Sequence, residues 1–126
     1  MKRPELTVST VVLECRDAHE LADFYKRFLN WPVEREEPDW VKIIHPDGVI
    51  GLSFNSDPAF ERPTWPREEG KQQMMLHLDI RVDDLAAATD FALAQGAELA
   101  QFQPQDDVRV FFDPAGHPFC LWVPSS

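Results

Sequence analysis

The chain has 126 residues, 44% of them hydrophobic, and a formal net charge of −10. That length suits one domain, 1–126, with its own core and no disulfide or metal needed to hold it. The acidity argues against nucleic acid, whose phosphates need a basic footprint, and against anionic membrane surfaces.

Thr7 to Cys15 is rich in β-branched residues and predicts a strand. Asp17-Ala18-His19-Glu20 has the D-x-x-E pattern of a capped helix start. Leu21, Phe24, Tyr25, Phe28 and Leu29 then fall on one helical face, and Asn30 and Pro32 stop the helix. Strands follow around Val33, at Trp40–His45 and at Val49–Asn55, with His45-Pro46-Asp47-Gly48 as the turn between the last two. Ser56 to Met75 has no clear period and carries Pro58, Pro63, Pro66 and Gly70, so it reads as a loop. Leu76–Val82 alternates as a strand. Asp83-Asp84 opens a helix through Leu85, Ala88, Phe91 and Ala92, which Gly96 ends. Strands at Ala97–Phe102, Val108–Phe112 and Pro118–Val123 complete the chain, with Asp113-Pro114-Ala115-Gly116 as the turn before the last.

The two halves repeat each other. Asp17, Asp23 and Phe24 map onto Asp84, Asp90 and Phe91 with an offset of 67. Pro46 and Gly48 map onto Pro114 and Gly116 with an offset of 68. The expectation is two βαβββ modules, at about 6–56 and 76–124, joined by a loop at about 57–75. One such unit cannot bury its sheet face alone, so two share a core.

Side chains alternate along a strand. In the 76–82 strand Leu78, Ile80 and Val82 form the core-facing set, and His77, Asp79 and Arg81 form a polar face. Phe119, Leu121 and Val123 alternate with Cys120 and Trp122. Val11, Leu13 and Cys15 alternate with Thr10, Val12 and Glu14, and Ile50, Leu52 and Phe54 with Gly51, Ser53 and Asn55. Polar sets that face one another would line a mixed cavity.

Three phrases resemble the vicinal oxygen chelate superfamily of glyoxalase I, bleomycin-resistance proteins and extradiol dioxygenases. They are Asp23-Phe24-Tyr25, the run from His77 to Asp84, and the run from Asp113 to Phe119. The resemblance is to small bacterial glyoxalase-like members. It implies an α+β fold in which two βαβββ modules form one curved mixed sheet around a cleft, with helices on the outer face. It also implies a homodimer. Metal-dependent members hold an ion with two inward ligands per module. The helix and turn motifs put those positions at Thr10, Gly51, His77 and Cys120. Gly51 has no side chain and Thr10 is a poor ligand. No glyoxalase I-type metal centre, and no other cofactor, is expected. Cys120 could bind zinc as thiolate.

The candidate ligand-binding residues are therefore His77, Asp79, Arg81, Trp122, Thr10, Glu14, Ser53 and Trp65. His77 is either a proton-transfer residue or a hydrogen-bonding contact. Asp79 and Arg81 are read first as an ion pair, with Glu14 a further partner for Arg81. Trp40, Trp65 and Trp122 offer an aromatic floor or lid, against the alternative of core packing. His19, His45 and His117 read as surface or turn residues, and Cys120 as a small buried residue before a nucleophile. The leading function is binding of a small aromatic or cationic compound in the cleft, without glyoxalase I activity. The competing readings are a lyase or dioxygenase-type enzyme, using an unconventional divalent metal site or His77 as base, and a domain that only associates. Two isolated cysteines and no apolar stretch after Met1-Lys2-Arg3-Pro4-Glu5 predict a cytoplasmic location.

Overall fold

The computed structural model describes residues 2–124. The chain divides into two compact units, Met1–Pro58 and Ala59–Ser126. Each unit carries one helix and one four-stranded mixed sheet.

In the first unit β1 (Thr10–Cys15) leads into α1 (Ala18–Leu29). The sharp start of α1 has a local cause. Asp17 lies in extended backbone, and its carboxylate accepts from the amides of His19 and Glu20, which have no partner within the helix. Asn30 ends the helix in the left-handed region at φ 58°, a conformation its short polar side chain tolerates. Then come β2 (Val33–Glu37), β3 (Trp40–Ile44) and β4 (Gly51–Ser56). The sheet order is β1-β4-β3-β2, with β1 parallel to β4 and the other pairs antiparallel. Leu13, Leu21, Phe24, Tyr25, Ile43 and Phe54 fill its core. The Tyr25 and Phe54 rings stack with centroids 5.6 Å apart.

The second unit repeats the plan with β5 (Leu78–Arg81), α2 (Leu85–Ala94), β6 (Glu98–Leu99), β7 (Val108–Phe112) and β8 (Pro118–Trp122). Its order is β5-β8-β7-β6, again with the first strand parallel to the last. Asp84 caps α2 as Asp17 caps α1. Phe111, Phe119 and Leu121 are fully buried, and the two phenyl rings stack 5.5 Å apart. The α+β architecture of two similar βαβββ modules is thus the expected one, hydrogen-bonded as one sheet per module.

Several boundaries differ from expectation. The strand predicted over Leu76–Val82 is only Leu78–Arg81, so His77 stands one residue before it. The strand predicted over Ala97–Phe102 shrinks to Glu98–Leu99. The Gln103 side chain takes over part of the ladder there. Its amide donates to the carbonyls of Ala100 and Val110, and its oxygen accepts from the Val110 amide. Strand β2 reaches Glu37 through a Glu-Arg-Glu-Glu run that is exposed throughout.

The loop after Pro58 is folded onto the second unit. Phe60 lies against the His117 ring at 5.3 Å. Arg62 sits over the Phe112 ring and pairs with Glu98. Trp65 donates its indole N–H to the Phe102 carbonyl at 3.2 Å.

Candidate functional site

Strands β5 and β8 build the site. They pair in parallel, Asp79 opposite Cys120 and Arg81 opposite Trp122. Residues two apart share a face, so His77, Asp79, Arg81, Cys120 and Trp122 project to one side. Phe119 and Leu121 point the other way into the core.

A cleft of about 300 Å³ opens on that side. Its lining joins His77, Asp79, Cys120 and Trp122 to Gln105 and Asp107 from the loop before β7. That loop is held by Arg109. Its guanidinium nitrogen Nη1 donates to the carbonyls of Gln105, Asp106 and Val108 at 3.3, 3.1 and 2.8 Å. The Val123 amide donates to the Asp107 carbonyl, which ties the loop to the end of β8. A second, small apolar hollow of about 40 Å³ adjoins it under Trp65, lined by Met74, Val110 and Pro118. His77 and Cys120 line both spaces.

The central feature is a convergence of three donors. His77 Nε2 lies 3.1 Å from Asp79 Oδ1. One ligand atom each of His77, Asp79 and Cys120 falls within 4.8 Å of the other two. Both His77 and Asp79 are solvent-accessible, with side-chain exposures of 39% and 60%. Burial, and then the neighbouring Asp79 carboxylate, push the Cys120 thiol up to about 11. At neutral pH it is a thiol and not a nucleophilic thiolate.

The expected partners are rearranged. Asp79 pairs with His77 at 3.1 Å and not with Arg81, its equally spaced neighbour on the other side. Arg81 instead places its guanidinium 5.8 Å above the Trp122 ring. Glu14 accepts from the side-chain amide of Asn55, its cross-strand neighbour, at 2.8 Å. Trp65 lies at the apolar hollow, while Trp40 opens β3 in the first unit. His117 is a turn residue, turned inward rather than out to the surface. Its side chain is 14% exposed and bonds Asp113 at 2.9 Å. Asp113 is itself buried and also accepts from the amides of Ala115, Gly116 and His117. This pair locks the turn. His19 and His45 do occupy exposed turn and cap positions, paired with Glu36 and Asp47.

The strand registers also correct one repeat equivalence. Leu13 pairs with Phe54, and Ile80 with Leu121, so β1 maps to β5 and β4 to β8 with one offset of 67. Subtracting 67 from Cys120 gives Ser53, and from His77 gives Thr10. Ser53 therefore stands where Gly51 was expected. The 68 offset of the turn is local to it. One extra residue between Gly48 and β4 restores 67. Gly51 lies opposite Thr10, and a Cβ there would come within 2.7 Å of the Ile43 carbonyl oxygen and Lys42 Cε. Thr10 and Ser53 bond each other through their hydroxyls at 2.8 Å, with Ser53 fully buried. Two neutral, mutually satisfied hydroxyls do not fit the pair of His, Glu or Gln ligands per module that the superfamily resemblance implies.

The family model for the glyoxalase-like domain matches residues 10–122. The chain belongs to this family. Several proteins of known structure share the fold. TnmS3, an antibiotic binding protein from Streptomyces sp. CB03234, is 18% identical with a TM-score of 0.65, covering 98% of this chain and 100% of its own. A glyoxalase/bleomycin resistance protein/dioxygenase family enzyme from Burkholderia phytofirmans PsJN is 18% identical with a TM-score of 0.72, over 94% and 98%. The glyoxalase family protein from Enterococcus faecalis is 24% identical with a TM-score of 0.64, over 94% and 96%. At such identities the likeness speaks for the glyoxalase-like fold alone. No curated protein is significantly similar to the chain in sequence. No helix among the described residues is long and apolar enough to cross a membrane.

The lining residues Gln105, Asp107, Val108 and Met74 were not anticipated. Gln105 and Asp107 sit in a polar loop that the pairing of Val108 with Trp122 and the Val123–Asp107 backbone bond bring to the cleft. The sequence signal for them was the placement of a Gln-Asp-Asp stretch immediately before a β-branched strand facing the last strand.

Proposed function

We propose that this glyoxalase-like protein binds a small organic ligand in the second-unit cleft and has neither a glyoxalase I-type metal centre nor glyoxalase I activity. The observation that carries the reading is the cleft of about 300 Å³, which combines an aromatic wall at Trp122 with hydrogen-bonding groups from His77, Asp79 and Gln105. That combination of a concave space, one flat apolar face and a few polar groups suits a drug-sized molecule. The Thr10–Ser53 hydroxyl pair supports the absence of the family's metal set. TnmS3 offers a precedent for ligand binding on this fold. We further take the protein to be a homodimer working in the reducing cytoplasm, where Cys15 and Cys120 stay free thiols.

Tryptophan fluorescence titrations with a panel of aromatic and cationic compounds test the reading. At least one compound should quench saturably. Trp122→Ala should weaken its binding about tenfold, the scale of one lost aromatic contact. Methylglyoxal with glutathione should not turn over. Binding unchanged by Trp122→Ala, or no saturable binder in a broad panel, overturns it.

A second reading is favoured by the His77–Asp79 pair. A carboxylate 3.1 Å from an imidazole orients the ring for proton transfer. In that case the protein is an enzyme that removes a proton from its ligand. His77→Ala would then abolish turnover of an identified substrate while leaving its binding in place, and unchanged turnover would dismiss the reading.

A further inference from the structure

The geometry points to a thiophilic metal site formed by His77, Asp79 and Cys120, taking a divalent ion of the zinc class. It lies wholly on the second unit and needs nothing from Thr10 or Ser53. It does not depend on the ligand-binding reading, because the ion would be held by the protein alone.

Three observations carry it. The donor set is one imidazole nitrogen, one carboxylate oxygen and one sulfur, which together suit a borderline-soft ion and leave a hard one poorly matched. The spacing is already near that of coordination. Bond lengths of about 2.0–2.3 Å in a tetrahedral zinc site imply donor–donor edges of about 3.3–3.8 Å. Here one edge is 3.1 Å and all three donors lie within 4.8 Å. The positions are also fixed by backbone. Asp79 is locked opposite Cys120 in a parallel ladder, and His77 stands two residues before Asp79 on the same face. Small side-chain rotations bring the donors together without moving a strand.

Three protein ligands leave a fourth position, and the cleft beside Trp122 and Gln105 gives it room. Asp79 is the decisive member. It lies outside the four positions that the superfamily resemblance implies, and it supplies the carboxylate that those positions lack in this chain.

The test is a titration of the metal-free, reduced full chain with cadmium and, separately, cobalt, followed by absorption. The expected result is a thiolate-to-metal charge-transfer band that saturates at one ion per chain, with zinc competing and magnesium failing to compete. Cys120→Ser should abolish the band, and His77→Ala and Asp79→Asn should each weaken binding by about tenfold or more. Cys15→Ser should leave it unchanged. Far-ultraviolet circular dichroism of each variant checks that the fold is kept. No charge-transfer band, a band lost with Cys15→Ser, or an affinity unchanged by Asp79→Asn would overturn the site. An organic ligand that binds although the band is absent would overturn the metal site and leave the ligand-binding reading standing.

Discussion

Cys120 sits between two environments, with the packed sheet behind it and the Asp79 carboxylate in front. Both favour the neutral thiol, and together they push it up to about 11. Alkylation of Cys120 in a Cys15→Ser background should therefore be slow at neutral pH and accelerate with a midpoint near 11. Asp79→Asn removes one of the two causes, so the midpoint should fall. A midpoint at the ordinary thiol value in the parent chain would contradict the described environment. His77 and its face were legible from alternation alone, because period two is a strict property of a strand. The pairing of Asp79 was not. His77, Asp79 and Arg81 share a face, and sequence cannot choose which neighbour the carboxylate meets. Charge complementarity favoured Arg81, and the aromatic face of Trp122 drew Arg81 away. Ser53 was recognised as polar and inward, but its equivalence to Cys120 needed the registers of β4 and β8.

Elements are held at their ends by small polar devices, and two of these make predictions. The Asp113 carboxylate is buried and accepts three backbone amides together with the His117 ring. Asp113→Ala strands those donors and should cost about 3 kcal/mol, read as a lower urea midpoint with an unchanged slope. Gly116 closes the same turn at φ +99°, with the Arg62 side chain packed where a Cβ would stand. Gly116→Ala should therefore destabilise by about 1–2 kcal/mol in the same assay, from strain at positive φ and displacement of Arg62. Helix α1 is tied to β2 through His19. Its Nε2 meets the Glu37 carbonyl at 2.8 Å and its Nδ1 meets Glu36 at 3.2 Å. The Glu37 carbonyl, chiefly, holds the His19 pKa above its ordinary 6.5. The protonated ring donates from both nitrogens, so this tie is complete below 6.5 and is lost as pH rises through the raised value. An NMR titration should place the His19 midpoint above 6.5. A midpoint at or below that value would mean the tie is not made in solution. The capped helices and the two Pro-Gly turns were legible because each has a mechanism written in neighbouring residues. Strand β2 and the short β6 were less so. A Glu-Arg-Glu-Glu edge carries no alternation, and Gln103 replaces the backbone in the ladder beside β6.

At the scale of the molecule, the internal repeat made the fold readable. A strand, a helix capped by Asp17 or Asp84 and three further strands occur twice, and the two sheets share one strand order. The assignment of the loop after Pro58 was not readable, because its ties to the second unit run through single side chains such as Arg62 and Trp65. The cleft followed in part from alternation, which put His77, Asp79 and Arg81 on one face of their strand and Cys120 and Trp122 on one face of theirs. Its other wall comes from Gln105 and Asp107, and no periodicity announces a loop wall. The proposed ligand site rests on the second unit, where the donors and the aromatic face lie together. The most direct measurement is a set of proton–nitrogen correlation spectra of the labelled chain, titrated with a library of small organic fragments. We predict that binders shift the amides of His77, Asp79, Val108, Cys120 and Trp122 together and saturably. Fragments that bind only elsewhere, leaving those amides unmoved, would contradict the assignment of this cleft as the ligand site.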